Sequence, residues 1–398
     1  MSRPRSASKD FKPDPVVNRD WWKEHVRYWK FDRQGVEITC ASFDNPDAKA
    51  SIVLTTGWSE TFLKYASIIR TLYEEGYNVY TYDHQSQGLS GRWLPDTQST
   101  WVNTFDDYVN DYVYFVTRII QNDRNKLKIY CLAHSMGGFI AAIAMARNPS
   151  IINKAVLCAP MLRMKCGTRS MNYRFPVPQP VAHWLAYLSW AVGLGTAHGV
   201  GYPNEVCTDK MARNTFTSDE SRLLEMEVLR QKHPNAIATC VTNDWIRKSL
   251  ELQIEFSRLY SLVRTNCLIL RGTKDFFVYN RAMETFADQA GNARLATVED
   301  AYHELLFESD DKRMPVENQI IEYFNQSNDE VSQLRINPLF DEYKSEEKSH
   351  LRPSLMSLGE TAVRGTCLAL GTVGVIVGLS MLTGFNTDRV YVALFKRK

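Results

Sequence analysis

The sequence has few cysteines and almost no excess of charge of either sign. Eight Cys residues in 398 are too few for a disulfide-stabilised scaffold, and without a C-x-x-C pair their spacing offers no metal site. Lys and Arg number 47 and Asp and Glu number 45, so the formal net charge is only +2. Proteins that bind nucleic acids usually carry a strong basic excess, so this balance argues against a nucleic-acid partner.

Short apolar runs alternate with helical patterns through much of the chain. The central runs are continuously apolar, as expected for strands that are buried on both faces of a sheet. Apolar residues recur at helical spacing over 105–120. This alternation predicts an α/β fold, with a mostly parallel sheet and helices on both faces. The predicted strands are 36–42, 51–55, 77–82, 128–133, 154–159, 266–271 and, more weakly, 294–298.

About a hundred residues, 161–262, separate the fifth predicted strand from the sixth. A structureless loop of that length is improbable in a compact domain, so the segment is predicted to be an inserted helical cap. The predicted organisation is a polar N-terminal segment (1–25), a core in two parts (26–160 and 263–329) around the cap (161–262), a charged linker (330–365), a candidate transmembrane helix (366–385) and a basic C-terminal tail (386–398).

The candidate transmembrane helix runs for 20 residues, 366–385, without a charged side chain. As a helix it would be about 30 Å long, the thickness of the hydrocarbon core of a bilayer. The alternative is an amphipathic or packed helix. We expect a C-terminal membrane anchor with the rest of the chain on the cytosolic side, although basic residues flank both ends of the segment and leave its orientation open.

One motif, A-H-S-M-G-G at 133–138, follows a predicted strand and precedes a helical pattern. A Ser on such a tight turn is typical of a nucleophile elbow, written G-x-S-x-G. The turn requires small residues two positions before and after the Ser, and Ala133 and Gly137 meet this requirement. The motif therefore predicts that Ser135 is a catalytic nucleophile.

A Ser nucleophile needs a His base, and the base needs an acid that orients it. On this type of elbow the chain order is Ser, acid, His. His303 follows the last predicted strand, whereas the other downstream candidate, His350, lies in the charged linker. Asp275 follows a strand end in a Gly-containing loop and is the predicted acid. Its rivals are Asp300 and Glu299.

The oxyanion that forms during acyl transfer needs two backbone N–H donors. The residue after the nucleophile, Met136, is one predicted donor, and Trp58, in the loop after an earlier strand, is the other. His134 neighbours the nucleophile but lies on the wrong side of the turn to act as the base. Glu304 is expected either to hydrogen-bond locally or to be a solvated charge.

Several segments, taken together, resemble those of one hydrolase superfamily. They are G-W-S-E at 57–60, Y-D-H-Q-S-Q-G-L-S-G-R at 82–92, A-H-S-M-G-G at 133–138, N-T-F-T-S-D at 214–219, N-D-W-I-R-K-S-L at 243–250, G-T-K-D at 272–275 and Y-H-E-L at 302–305. The chain resembles the α/β-hydrolase superfamily over roughly 26–325, and within it the branch of monoacylglycerol lipases and bacterial-type lysophospholipases, which are serine-aminopeptidase-like hydrolases.

This resemblance implies an α/β-hydrolase fold and an ester-hydrolysing triad of Ser135, Asp275 and His303 beneath a cap. The chain departs from the family at Thr56, where a His is common, and at Trp58, where a small residue is common. The departures bear on the shape of the acyl pocket.

The start of the predicted cap is basic and then aromatic. No Asp or Glu lies within 161–204, and the apolar stretch 181–195 is rich in Trp and Tyr. Such a segment suits an anionic, amphiphilic surface, or its aromatic residues pack the cap onto the core. The basic residues that we predict to contact substrate are Arg163, Lys165, Arg169 and Arg174.

The predicted function is therefore that of a serine hydrolase that cleaves the carboxylic ester of a lipid with one acyl chain, a lysophospholipid or a monoacylglycerol. No metal or organic cofactor is predicted. One alternative is a peptidase-like or other α/β-hydrolase activity. A second is a catalytically inactive, membrane-tethered binding protein on the same fold.

Overall fold

The computed structural model describes residues 5–6, 12–121, 127–167, 177–199, 216–327 and 340–342. All of them belong to one compact unit, Met1–Lys344. Within this described part, no helix has both the length and the apolar character needed to cross a bilayer. The candidate transmembrane helix 366–385 and the tail 386–398 lie outside the described residues, as does most of the charged linker.

A ten-stranded sheet forms the centre of the molecule. The strands among the described residues are β1 (Arg5–Ser6), β2 (Val26–Arg33), β3 (Val36–Phe43), β4 (Ala50–Thr55), β5 (Tyr77–Tyr82), β6 (Ser99–Thr100), β7 (Ile129–His134), β8 (Lys154–Cys158), β9 (Cys240–Val241), β10 (Asn266–Gly272), β11 (Ala293–Val298) and β12 (Phe340–Glu342). The order in the sheet is β1-β2-β3-β5-β4-β7-β8-β10-β11-β12. The six strands from β5 to β11 in this order are parallel, and the strands at both ends are antiparallel.

Helices cover both faces of the sheet and bury a separate apolar core on each. The α-helices in the described part of the chain are α1 (Arg19–His25), α2 (Ala66–Glu74), α3 (Phe105–Tyr114), α4 (Ser135–Arg147), α5 (Gln179–Ala191), α6 (Glu220–Lys232), α7 (Asn243–Phe256), α8 (Asn280–Ala290) and α9 (Asp310–Asn325). Helices α3, α4 and α8 contribute to one core, and α1, α2 and α9 to the other. Strand β4 contributes to both cores, since Val53 packs into the first core while Ile52 and Leu54 pack into the second.

The structure places a strand at each of the seven predicted runs, and the α/β fold with a mostly parallel sheet is confirmed. Helix α3 continues as a π-helix over Phe115–Ile120, which completes the predicted helical segment. Strand β2 was not predicted, because its apolar Trp29 and Phe31 alternate with charged residues instead of forming a continuous run. Within the polar N-terminal segment, Trp22 of α1 is fully buried against Phe43.

The described part of the segment predicted to be a cap is mainly helical, with α5, α6 and α7 as its helices. A two-stranded parallel sheet, β6 with β9, joins it to the loop that precedes α3. Helix α5 packs on α7, and α7 packs on α3 of the core. Residues of this segment line the same cavity as Ser135 and His303, which follow the carboxyl ends of parallel strands, where catalytic groups of α/β proteins collect. The exact boundaries of the cap remain a prediction.

Candidate active site

The predicted nucleophile lies on a sharp turn between a strand and a helix. Strand β7 ends at His134, and Ser135 begins α4 with a φ of +48°, in the left-handed region. A Cβ added at Gly137 would lie 2.5 Å from the carbonyl oxygen of Thr56 and 2.6 Å from that of Thr55. A side chain at position 137 would therefore collide with the end of β4, which explains why this residue is Gly. The turn lifts the Ser135 hydroxyl above the edge of the sheet.

The structure brings the three predicted triad residues together. Nε2 of His303 lies 2.9 Å from Oγ of Ser135, close enough to accept its hydroxyl hydrogen. Nδ1 of the same ring lies 2.6 Å from a carboxylate oxygen of Asp275 and donates to it. All three side chains are buried. This is the geometry that a general-base mechanism requires, and the catalytic roles remain a prediction.

The local structure of Asp275 supports its assignment as the acid. Its second carboxylate oxygen accepts hydrogen bonds from the backbone N–H groups of Phe277, at 2.7 Å, and Val278, at 3.1 Å. Burial opposes ionisation of this carboxyl, but the facing His303 ring and the two N–H donors outweigh that effect and hold the pKa of Asp275 below its usual range.

The rival acids occupy a different environment. Asp300 and Glu299 are exposed, and Asp300 forms an ion pair with Lys274 at 2.8 Å. Neither of them reaches the His303 ring, whose Nδ1 is bonded to Asp275. The rival base His350 lies outside the described residues.

The two predicted oxyanion donors flank the nucleophile. Met136 lies in the first turn of α4, where backbone N–H groups lack an acceptor within the helix. Trp58 follows the end of β4, and its indole N–H donates to Oγ1 of Thr100 at 2.9 Å. This hydrogen bond fixes the indole ring at the wall of the cavity above Ser135. The role of both residues as oxyanion donors remains a prediction.

An apolar cavity opens above Ser135 and His303, between the core and the cap. Core and cap both contribute to its wall, with Trp58, Met161, Leu185, Val241, Trp245 and Phe277 among the apolar lining residues. A long acyl chain would be desolvated in such a cavity, which matches the chemistry of a lipid substrate.

The four predicted basic contacts have different positions. Lys165 is the one Lys or Arg among the described residues that line the cavity, and its Nζ donates to the backbone oxygen of Asp275 at 2.7 Å. Arg163 instead bonds to the side-chain oxygen of Gln179 at 2.9 Å and does not line the cavity. Arg169 and Arg174 lie outside the described residues.

Four buried ionisable residues beside the triad were not predicted to form a functional group. Glu60, Lys64, His134 and Glu304 are each at most 5% exposed, and the ammonium group of Lys64 bonds to both carboxylates. The Glu304 side chain is therefore not a solvated charge, and its partner Lys64 lies 240 positions away in the sequence. The one indication of this group in the sequence is Glu60, the last residue of the G-W-S-E segment.

Two groups of side chains in the described part have the composition of a metal site. Glu60, His134 and Glu304 place their ligand atoms within 4.8 Å of one another, but the Lys64 ammonium group is bonded to both of these carboxylates. The second group, Asp96, His198 and Cys240, includes no triad residue. Neither group places a metal ligand among the three triad side chains.

The elbow, the triad order and the parallel sheet together define an α/β-hydrolase. A family profile described as serine aminopeptidase, S33 (Hydrolase_4), matches residues 46–310, and the chain belongs to this family.

Similar proteins extend this assignment. The chain is 29% identical to lysophospholipase L2 of Escherichia coli K12 over 316 residues. This alignment covers 78% of this chain and 90% of the relative. The chain is 28% identical over 147 residues to human monoglyceride lipase, covering 37% of this chain and 42% of the relative. A soluble variant of monoglyceride lipase from Saccharomyces cerevisiae, solved with a substrate analogue, has the same fold, with a TM-score of 0.62, 15% identity and coverage of 80% of this chain and 98% of that one.

These similarities confirm the resemblance found in the sequence. They also confirm the prediction that the chain is an enzyme of the carboxylic ester hydrolase class. The structural likeness, at 15% identity, supports the fold alone.

Replacing Asp275 with Asn tests the assignment of the acid. We expect turnover of an ester substrate to fall by about 10⁴-fold, because Asn would favour the wrong tautomer of His303. Asp300→Asn is the matched control and should leave turnover within about twofold. Steady-state kinetics of both purified variants is the measurement, and a larger loss in the control would show that the wrong acid has been assigned.

Proposed function

We propose that this protein is a serine hydrolase that cleaves the carboxylic ester of a single-chain lipid, a lysophospholipid or a monoacylglycerol, through an acyl-enzyme. The observation that carries the proposal is the 2.9 Å contact between Ser135 Oγ and His303 Nε2 at the base of an apolar cavity. The names of the relatives, lysophospholipase and monoglyceride lipase, agree with a substrate that has one acyl chain.

In the proposed mechanism, Ser135 Oγ attacks the ester carbonyl carbon while His303 takes the hydroxyl proton. The carbonyl oxygen gains negative charge and accepts hydrogen bonds from the backbone N–H groups of Met136 and Trp58. His303 then gives its proton to the departing alcohol oxygen as the ester bond breaks. Asp275 holds the ring in its tautomer and stabilises its positive charge throughout.

Deacylation repeats these steps with water as the nucleophile. His303 takes a proton from the water, whose oxygen attacks the acyl carbon, and then returns the proton to Ser135 as the fatty acid leaves. The overall reaction consumes one water and one ester and yields one alcohol and one carboxylic acid.

The cavity disfavours the alternative of a peptidase that receives an N-terminal amine. Such an enzyme needs an acidic side chain available to the amine. Among the described residues that line the cavity, Glu304 is the acidic one, and its carboxylate is already bonded to the Lys64 ammonium group. An ester substrate has no amine and does not need an acidic side chain in the cavity.

Ser135→Ala tests the proposed function against the alternative of an inactive binding protein. We expect the variant to lose ester hydrolysis and covalent labelling by a fluorophosphonate, because Ser135 is the residue whose hydroxyl is hydrogen-bonded to the predicted base His303. Labelling of the unaltered chain, and retention of its melting temperature in the variant, are the controls. A variant that is still labelled would contradict the assignment.

Helix α5 supports a lipid substrate in a second way, because its two sides meet different surroundings. Ala182, Leu185 and Ala186 line the cavity. On the other side, Trp184 (45%), Tyr187 (44%) and Trp190 (46%) are nearly half exposed. These aromatic side chains are therefore not packed onto the core, and Trp and Tyr in such positions favour a lipid–water interface.

The position of Lys165 supports a preference for an anionic head group, such as the phosphate of a lysophospholipid. Its ammonium group has three N–H donors, and the hydrogen bond to the Asp275 backbone oxygen uses one of them. Arg163 is held by Gln179 away from the cavity and offers a matched comparison.

We expect Lys165→Met to lower turnover of a lysophospholipid about tenfold more than turnover of a neutral monoacylglycerol. This tenfold difference between the substrates corresponds to about 1.4 kcal/mol. The difference between the substrates should shrink as salt is added. Arg163→Met should lower both turnovers equally. Steady-state kinetics on the two lipids is the measurement, and an equal loss on both substrates in Lys165→Met would contradict the head-group contact.

We propose that residues 366–385 anchor the enzyme to a membrane, since 20 uncharged residues suffice to span a bilayer. A chain that ends at Gly365 should then leave the membrane fraction on alkaline carbonate extraction while hydrolysing dispersed substrate at an unchanged rate. A control chain that ends at Phe385 keeps the segment and should stay with the membrane. Quantitative extraction of the full-length protein would show that the segment is peripheral.

A further inference from the structure

Four ionisable side chains meet in the protein interior directly behind the nucleophile. Lys64 Nζ donates to a carboxylate oxygen of Glu60 and to one of Glu304. His134 lies against the same two carboxylates, 3.2 Å from Glu60 and 3.8 Å from Glu304. Charges removed from water in this way are costly unless they are paired, so the grouping of all four is a constraint on the fold.

The four residues belong to three separate segments around the triad. Glu60 ends the loop that follows β4, here called the oxyanion loop (56–60), and Lys64 lies in the 3₁₀-helix Phe62–Tyr65 immediately after it. His134 precedes the nucleophile, and Glu304 follows His303 in the segment here called the base loop (299–304). Lys64, which is bonded to both Glu60 and Glu304, therefore joins the oxyanion loop to the base loop.

Glu60 also fixes the oxyanion loop from within. Its carboxylate accepts hydrogen bonds from the backbone N–H of Gly57 and, at 2.6 Å, from the hydroxyl of Tyr65. A Cβ at Gly57 would lie 2.9 Å from this carboxylate and 3.0 Å from the His134 ring. The backbone next to the predicted oxyanion donor Trp58 is thus packed directly onto the charged group.

The surroundings of His134 indicate that its ring is an imidazolium. Nδ1 faces the Glu60 carboxylate at 3.3 Å, and Nε2 faces the backbone oxygen of His303 at 3.3 Å. Both neighbours can only accept, so both ring nitrogens donate. Burial opposes the charged form, but Glu304 and Glu60 outweigh it and raise the pKa of His134 above its usual value. Two positive charges then balance two negative ones.

We propose that Glu60, Lys64, His134 and Glu304 form a charge-balanced positioning network, with Lys64 at its centre, that holds the oxyanion loop and the base loop in place around Ser135. The proposal rests on the proposed function, since it concerns how Ser135 and His303 are aligned. None of the four residues is assigned a proton transfer or a contact with the reacting atoms.

Loss of the Lys64 charge should act on the chemical step more than on substrate binding. Without it, two carboxylates face one imidazolium, and their repulsion separates the two loops. A displacement of about 1 Å in an active site can lower turnover by about 10²-fold. The apolar wall that binds the acyl chain, by contrast, includes none of the charged atoms of Lys64.

The test compares Lys64→Met and Lys64→Arg in the full-length protein, with a p-nitrophenyl ester as substrate. We expect Lys64→Met to lower kcat by about 10²-fold and to change KM by less than about threefold. Lys64→Arg keeps the charge and both ion pairs, so it should recover at least about a tenth of the original kcat.

A second buried lysine provides the matched control. Lys154 begins β8, at the opposite end of the parallel strands, and its Nζ donates to the backbone oxygens of Tyr323, at 3.2 Å, and Gln326. Lys154→Met removes a buried ammonium group without touching the site. We expect it to lower the melting temperature but to leave the kcat of the folded enzyme within about twofold.

Two further measurements cover the cases in which Lys64→Met does not fold or the proposed function itself is wrong. If Lys64→Met does not fold, Glu304→Gln, which keeps the shape and one acceptor oxygen but not the charge, should lower kcat about tenfold with KM unchanged. The proposal is overturned if folded Lys64→Met or Glu304→Gln keeps the original kcat, or if Lys154→Met loses as much kcat as Lys64→Met. Failure of a fluorophosphonate to label the unaltered protein would instead overturn the proposed function.

Discussion

The close approach of Gly137 to the carbonyl oxygens of Thr55 and Thr56 is the constraint on which the rest of the site depends. It allows the first turn of α4 to lie on the end of β4, so the Ser135 turn and the oxyanion loop become direct neighbours. Because β10 and β11 run parallel to β4 and β7, the loops that follow them bring Asp275 and His303 to the same edge. One packing contact between backbones therefore fixes where four chain segments meet.

That meeting point is buried, and burial determines which charges it can hold. An isolated carboxylate in such a place would be costly and would tend to take up a proton. Asp275 avoids this with one imidazole and two backbone donors, and Glu60 with Lys64, His134 and a backbone donor. In both cases the pKa of the carboxyl is lowered despite burial. These two carboxyls are thus held in their ionised form by contacts that also define the positions of the loops.

These contacts show what could be predicted from the sequence and what could not. The elbow was predictable because the strand, the Ser and Gly137 lie within a few residues of one another. The central strands were predictable because burial on both faces makes them continuously apolar. The Lys64–Glu304 contact joins residues 240 positions apart, and neither has a neighbouring pattern that marks a buried charge. Likewise, the exposure of Trp184 and Tyr187 depends on which side of α5 faces the cavity, which composition does not specify.

In the proposed function, Lys165 links the part of the cavity predicted to hold the head group to the predicted triad. Its ammonium group lines the cavity, and the same group donates to the backbone oxygen of Asp275. An anion bound in the cavity and this carbonyl can share its three donors, since an ammonium group is not limited to one acceptor. A head group at Lys165 would therefore restrain the loop that carries the acid while it orients the ester toward Ser135. Binding energy from the head group would then be used to align the ester at the reacting centre. Substrate specificity would therefore affect turnover as well as affinity.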